Sequence, residues 1–224
     1  MISIVIPVLN ERERLRAFLR ELEGLEGERE VIVADGGSAD GTPEAVSPPA
    51  RLAVSPPGRA RQMNAGAALA RGEILLFLHC DTRLPPGALG LIEEALRDSS
   101  NAGGGFRHRF DREGGFSRFI SWSANTRTRL WRTFFGDQAI FARRGAFERI
   151  GGYAGLPLFE DWDLCTRLKR EGRLAIIPAP VLTSARRIEA WGRWKCFKLW
   201  WGLSLLYALG VPAERLARFY EDVR

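Results

Sequence analysis

Four continuous apolar runs fall in the first eighty residues, and three of them pass straight into a polar cluster while the third in chain order stops at prolines. They are ISIVIPVL (2–9), EVIVA (30–34), RLAV (51–54) and EILLFL (73–78). Runs without polar alternation suit strands buried on both faces. The segments between them carry a helical period. In ERERLRAFLRELEGL (11–25), Leu15, Phe18, Leu19 and Leu22 share one face, and Asn10 is placed to cap it. Pro43 opens a short helix at PEAV (43–46), since its fixed φ suits a first helical position. GRARQMNAGAALARG (58–72) reads as a small-residue helix ending at Gly72, and PPGALGLIEEALRD (85–98) as another. Strand–helix alternation of this kind predicts an α/β fold, a mostly parallel Rossmann-like sheet with helices on both faces.

Ligands of such sheets sit beyond the carboxyl ends of the strands. Asn10 and Glu11 follow the first run, Asp35, Ser38 and Asp40 the second, and His79 and Asp81 the fourth. Three strands thus aim acids or amides at one edge. Acids there can hold a divalent cation on a phosphate or do acid–base work. If EILLFLHCDT (73–82) stays a strand, its two-residue period turns His79 and Asp81 to the same side. The plainer alternative is that both residues cap the turn before TRLPP.

Beyond residue 100 the pattern loosens. NAGGGFRHRFDREGGF (101–116) is rich in Gly and Arg and reads as a mobile stretch. Residues 117–153 mix a helix with at least one strand. FEDWDLCTRLKREG (159–172) is a helix with acids in its first turn, and RLAIIPAPVLTSARR (173–187) a last strand. RWKCFKLWWGLSLLYALGV (193–211) is apolar and aromatic, with basic residues at its start. Its uncharged run, Leu199 to Ala213, falls short of the roughly 20 residues of a membrane span. Packing on the domain, a homodimer face and a peripheral membrane contact are its three possible uses.

The net charge is +6, and 30 of the 33 basic residues are arginine. Residues 107–149 hold ten arginines against four acids, an imbalance equal to the whole excess. An anionic substrate, nucleic acid or a membrane surface would answer it. No nucleic-acid-binding module is recognisable, which leaves nucleic acid out. Cys80, Cys165 and Cys196 form no paired motif, which fits a reducing cytoplasm. The opening MISIVIPVLNE has no basic n-region, so no signal peptide is expected.

The motifs SIVIPVLNE (3–11), VIVADGGSADGT (31–42), NAG (64–66), LHCDT (78–82) and FEDWDLCTRLKREG (159–172) together resemble family 2 glycosyltransferases, in that family's order and spacing. The resemblance spans about residues 1–190. It implies a GT-A fold, a nucleotide-sugar donor (commonly UDP-linked), a divalent metal (Mg2+ or Mn2+) and inversion at the anomeric carbon. Pro7, Asn10 and Glu11 match the motif that lines the nucleoside pocket. Asp35 matches the acid that meets the base, and Asp40 a second acid near the nucleotide. Arg59 or Arg61 matches a contact to base or phosphates. Asp81 matches the metal ligand, and His79 stands where the family has its first Asp, as a ribose or metal contact. Asp161 matches the catalytic base, with Glu160 in support; a helix N-terminus favours its ionised form at pH 7. Gly136, Asp137, Gln138 and Trp162 lie where the family meets its acceptor, although Gly136–Gln138 also reads as a tight turn before the strand AIFARR. In TSARR, Arg186 or Arg187 would suit a diphosphate through its bidentate fork, with a solvent-facing pair as the plainer alternative.

Within the family, LHCDT, GRARQMNAGA, FFGDQ and TSARR resemble a subgroup associated with arsenosugar biosynthesis. The Gln-X-X-Arg-Trp motif of processive synthases is missing, so a single transfer is expected, onto a small-molecule or lipid acceptor. One domain is expected, with a nucleotide-sugar half (1–100), an acceptor half (101–190) and a C-terminal helical tail (191–224), at the inner face of the membrane if the tail is interfacial. A nucleotidyltransferase would need a Gly-rich loop with a Lys where PVLNERERL stands. A non-catalytic membrane- or anion-binding protein would leave Asp35, Asp81 and Asp161 idle.

Overall fold

The structure, a computed structural model, describes residues 1–112 and 114–220. Strands β1 (Ile2–Val8), β2 (Arg29–Asp35), β3 (Arg51–Val54) and β4 (Ile74–Phe77) are parallel neighbours in the order β3-β2-β1-β4. The four apolar runs are these four strands, and β1 is buried at every position. Helices α1 (Arg12–Glu23), α2 (Arg59–Leu69) and α3 (Ala88–Ala95) make the crossovers, with a 3-10 turn at Pro43–Ala45.

The sheet continues through β7 (Ile140–Arg143), β6 (Asn101–Phe110), β8 (Arg173–Thr183) and the two-residue β5 (Thr82–Arg83). β7 runs antiparallel to both β4 and β6, while β6 and β8 are parallel to each other. The start of β7 therefore lies at the same edge as the ends of β1, β2, β4, β6 and β8. Two apolar layers, built around Ile4, Leu15 and Phe106 on one face and Val5, Met63 and Phe147 on the other, sandwich the sheet. The remaining helices are α4 (Gly115–Trp131), α5 (Arg144–Arg149), α6 (Glu160–Leu168), α7 (Arg186–Trp191), α8 (Arg193–Ala208) and α9 (Ala213–Ala217).

Several local expectations are corrected. Residues 101–110 are an ordered ten-residue strand, not a mobile stretch. Its glycines answer a steric need. A Cβ on Gly103 would collide with the Phe141 carbonyl, one on Gly104 with the Ala175 carbonyl, and one on Gly105 with the Phe134 ring. The helix from residue 59 stops at Leu69, and Gly72 instead packs under β1, where a Cβ would stand 2.7 Å from Ser3 Oγ. Asn10 does not cap α1. Its φ of 54° turns the chain, and its Oδ1 accepts from Ala39 N at 2.9 Å. Asp40, from the loop after β2, takes the cap position by accepting from Arg12 N at 3.1 Å.

Gly104→Ala should lower stability by about 1–3 kcal/mol, because the new methyl has only backbone and a packed ring to displace. Gly115→Ala, at a helical position with open space around it, should be neutral or slightly stabilising. Paired urea-unfolding midpoints check this, and an equal loss in both variants would count against the steric reading.

Candidate active site

The edge is built from backbone hydrogen bonds first. Asp35 is buried and its carboxylate folds its own loop: Oδ2 accepts from Gly37 N and Ser38 N at 2.8 and 2.9 Å, and Oδ1 from Ser38 Oγ at 2.5 Å. Ser38 Oγ in turn accepts from Asn10 N at 2.8 Å. Asp40 accepts from Thr42 N and Oγ1, and Thr42 Oγ1 accepts from Glu11 N at 3.0 Å. The Thr42 hydroxyl leads the interactions that hold the Asp40 carboxyl below its ordinary value. The two loops after β1 and β2 are thus laced into one rim. Pro7 sits buried in β1 beneath it, opposite Ala34.

Gln62, which carried no role in the sequence reading, closes the floor of this rim. Its Nε2 donates to Val8 O at 2.6 Å and Ala34 O at 3.0 Å, satisfying two carbonyls at the strand ends. The NAG motif is likewise architectural. Asn64 exchanges two 2.9 Å hydrogen bonds with the Tyr153 backbone, and a Cβ on Gly66 would strike Val5.

Asp81 lies beyond the end of β4. The strand stops at Phe77, and Thr82 N donates to His79 O in a turn, so the two-residue period does not govern His79 and Asp81. Asp81 Oδ2 meets Arg186 Nη2 at 3.1 Å. The same Nη2 lies 3.4 Å from Glu11 Oε1, and Glu11 Oε2 also accepts from Arg14 and from Cys80 Sγ. Burial raises the Asp81 carboxyl, but His79 and the arginines 186, 187 and 14 outweigh it and hold it below its ordinary range. Arg187 turns the other way, donating to Tyr220 Oη at 2.7 Å.

The second centre is the start of α6. Asp161 Oδ2 accepts from Gly136 N at 2.7 Å. A Cβ on Gly136 would overlap His79 Nε2 and stand 3.2 Å from Asp161 Oδ2, so only glycine fits between them. Burial, with Glu160 next, pushes the Asp161 carboxyl up to about 8, against the Gly136 N–H and Arg59. The expectation of a carboxylate ionised at pH 7 is therefore corrected: desolvation and a neighbouring acid exceed the helix dipole. Asp161 Oδ1 and the Tyr153 hydroxyl are both buried and interact with each other, but among the described residues neither has a hydrogen bond of normal geometry. Burial, then Asp161, drives the Tyr153 hydroxyl well above its usual value. His79 is pushed down to about 4, first by burial and then by Arg59. It is neutral at pH 7, with its Nε2 edge toward Gly136.

The other named residues divide. Arg59 exerts its charge on both His79 and Asp161, whereas Arg61 is exposed and reaches back over Gly58. Asp137 is partly exposed, with Oδ2 3.4 Å from His108 Nε2. Gln138 does not face the cleft: it is fully buried, donates to Phe106 O at 3.1 Å and accepts from Arg127 and Phe135 N. Trp162 packs with Phe135, Phe159 and Tyr207, so its ring forms the seam with α8. Of four non-glycine residues with left-handed φ among the described residues, Asn10, Ala139 and Phe159 flank Glu11, Gln138 and Glu160. Strain of about 1–3 kcal/mol apiece is held where loops must aim polar groups.

Over residues 3–156 the chain matches the family described as Glycosyl transferase family 2. The chain belongs to that family. It is 25% identical, over 98% of its length, to the probable glycosyltransferase YdaM of Bacillus subtilis (strain 168), and spans 58% of that protein. Its fold is similar to the mannosyltransferase PcManGT of Pyrobaculum calidifontis, solved with GDP-Man and Mn2+ (TM-score 0.71, 20% identity, 100% of this chain and 65% of that one). S. aureus TarS 1-349 with UDP-GlcNAc is also similar (TM-score 0.63, 16% identity, 82% of this chain and 58% of that one). Both likenesses are of fold, and the α/β GT-A architecture expected for a family 2 glycosyltransferase is the one found.

A buried acid whose proton is held up to about pH 8 makes stability pH-dependent. Between the ordinary carboxyl pKa and about 8 the native Asp161–Glu160 pair keeps a proton that the unfolded chain has released. Stability contributed by that proton is complete below the unfolded pKa and falls as pH rises through 8. Asp161→Asn should flatten this fall, leaving the variant more stable than the parent at pH 9 by on the order of a few kcal/mol. Urea midpoints at pH 5 and pH 9 measure it, and parallel pH slopes for both proteins would rule it out.

Proposed function

We propose that the chain transfers one glycosyl unit from a nucleoside-diphosphate sugar, UDP-linked first among them, to an acceptor hydroxyl with inversion. The observation that carries this reading is the pairing of two centres at one sheet edge. One is a carboxylate among arginines, Asp81 with Arg186; the other is a buried carboxyl of raised pKa, Asp161, on the Gly136 N–H.

In this reading the rim of Pro7, Asn10, Glu11, Asp35 and Asp40 holds the nucleoside, with Asp35 acting through the loop it folds. Arg186 leaves Asp81 and Glu11 for the diphosphate, a match for its planar fork. Arg59, whose charge already reaches His79 and Asp161, is the nearer of the two α2 candidates. Among the described residues no three possible ligands cluster, so the protein presents no complete cation cage. Asp81 would hold a divalent ion of the Mg2+ or Mn2+ kind, which needs few protein carboxylates in sites of this sort. When bound, such an ion neutralises charge developing on the leaving diphosphate. His79, neutral and turned to Gly136, serves better as a spacer between the two centres than as a ligand.

Asp161 must lose its proton before it can act. Once ionised it takes the proton of the acceptor hydroxyl as that oxygen bonds to the anomeric carbon and the bond to the diphosphate breaks. Glu160 keeps the pair's proton affinity high, and Asp137 and Gly136 line the acceptor side. The acceptor is a small molecule or a lipid. Assignment to the arsenosugar-associated subgroup rests on the resemblance of LHCDT, GRARQMNAGA, FFGDQ and TSARR. The three free, buried cysteines fit a cytoplasmic setting.

Donor turnover should rise with pH, kcat/KM following an apparent pKa near 8 in the free enzyme. Asp161→Asn should cut transfer by about 10²–10⁴-fold while leaving UDP affinity nearly unchanged. Rate profiles from pH 6 to 9.5 and calorimetry with UDP test both; a flat profile, or equal loss of UDP binding, removes Asp161 as the base.

Asp81→Asn should abolish the Mn2+-dependent part of UDP affinity and spare uridine, whereas Asp35→Ala should weaken both because its loop opens. Titration of each variant with uridine, and with UDP with and without Mn2+, decides this. Uridine affinity retained in Asp35→Ala would separate that loop from the nucleoside.

A further inference from the structure

Helix α8 is apolar on two opposite faces. Cys196, Leu199, Leu203 and Tyr207 follow the 3.6-residue period and pack inward; Cys196 and Leu203 are buried, and Tyr207 stacks on Phe159 at 4.5 Å. Trp194, Phe197, Trp201 and Leu205 follow the same period, about half a turn away. On that face Trp194 is 78% exposed, Leu205 61% and Trp201 45%. A helix apolar all round is ordinarily buried all round.

The exposed face does not end with α8. Phe197 lies 6.1 Å from Trp201 and 6.4 Å from Phe119 of α4, and Phe119 lies 6.0 Å from Trp122, which is 62% exposed. Phe197, half-buried against Phe110 and Ile120, thus links the exposed rings of the two helices into one aromatic patch, larger than the scattered apolar residues of an ordinary exterior.

Its border is basic. Trp122 and Arg118 line a depression of about 360 Å³ together with Arg107, Arg109 and Arg112 from the end of β6. Arg193, Lys195 and Lys198 stand on the first turns of α8. Among the described residues, Glu189 is engaged by Arg112 and Asp111 by Ala185 N. Aromatic rings with a cationic margin fit a headgroup layer carrying negative charge, where ring bodies bury and arginines meet phosphate. Insertion is in-plane. Sixteen helical residues reach about 24 Å, less than the hydrocarbon thickness, and no helix among the described residues is long and apolar enough to cross.

We propose that the face formed by α4 and α8 docks this protein on an anionic lipid bilayer, with Trp122, Trp194 and Trp201 in the interface and Arg107 and Arg118 on lipid phosphates. The inner face of the same helix adjoins the candidate site, since Tyr207 of α8 stacks on Phe159, the residue before Glu160. The docking surface stands independently of the transferase reading.

The test is co-sedimentation of the 224-residue chain with phosphatidylcholine vesicles, with and without phosphatidylglycerol. The chain should pellet with the anionic vesicles, release as salt rises, and blue-shift its tryptophan emission. Combined Trp122→Ser, Trp194→Ser and Trp201→Ser, and separately Arg107→Glu with Arg118→Glu, should each lower partitioning by about ten-fold or more. Every changed side chain is solvent-facing, and thermal melting confirms the fold; if the triple variant melts early, Trp194→Ser alone replaces it. UDP affinity in solution should not change in any variant, which keeps this outcome apart from the fate of the proposed activity. A wild-type chain that stays in the supernatant overturns the proposal, as does undiminished binding by the variants. A dimer in sedimentation velocity that the tryptophan changes dissolve, without vesicle binding, would assign the face to a second copy instead.

Discussion

Several carboxylates stand at one end of one sheet, and each taken out of water needs a counterpart. Asp35 finds backbone N–H groups and a serine hydroxyl, Asp81 and Glu11 share one guanidinium, and Asp161 has a single N–H from Gly136. Much of the surrounding structure follows from these needs. Left-handed residues bend loops toward the acids, Gln62 satisfies the strand-end carbonyls beneath them, and Gly136 is small because His79 and Asp161 must both touch it. Asp161 is the least compensated member, and it is the one whose proton is held into the alkaline range. A poorly compensated acid is costly in a core and useful at a reaction centre.

The antiparallel strand β7 joins the two centres. It enters the sheet beside β4 running the opposite way, so its leading turn, Gly136–Gln138, arrives at the edge where β4 releases His79 and Asp81. Gln138 anchors that turn from inside, and Gly136 offers its N–H outward. The C-terminal helices complete the arrangement from behind, with Phe159 and Trp162 held against Tyr207. Of the uses the sequence left open for this tail, packing on the domain occurs on one face of α8, while the opposite face stands exposed.

The sequence by itself determined the first half of the fold. Continuous apolar runs and the amphipathic period between them depend only on local pattern and burial, so all four parallel strands and their shared polar edge were legible. Asp35 and Asp81 were singled out because apolar runs lead up to them, and Asp161 because it opens a helix, with their roles taken from the family resemblance. Tertiary structure decided the rest. The glycines of 101–110 look mobile in isolation, and only their neighbours, Phe134, Phe141 and Ala175, show that they are close-packed. Gln138 and Trp162 look like ligand contacts by position, but side-chain direction is set by partners distant in the chain. The protonation of Asp161 could not be read from its place at a helix N-terminus, because Glu160 and the surrounding burial act through space. Spacing along a chain encodes periodicity; desolvation and the sum of nearby charges exist only once the chain has folded around them.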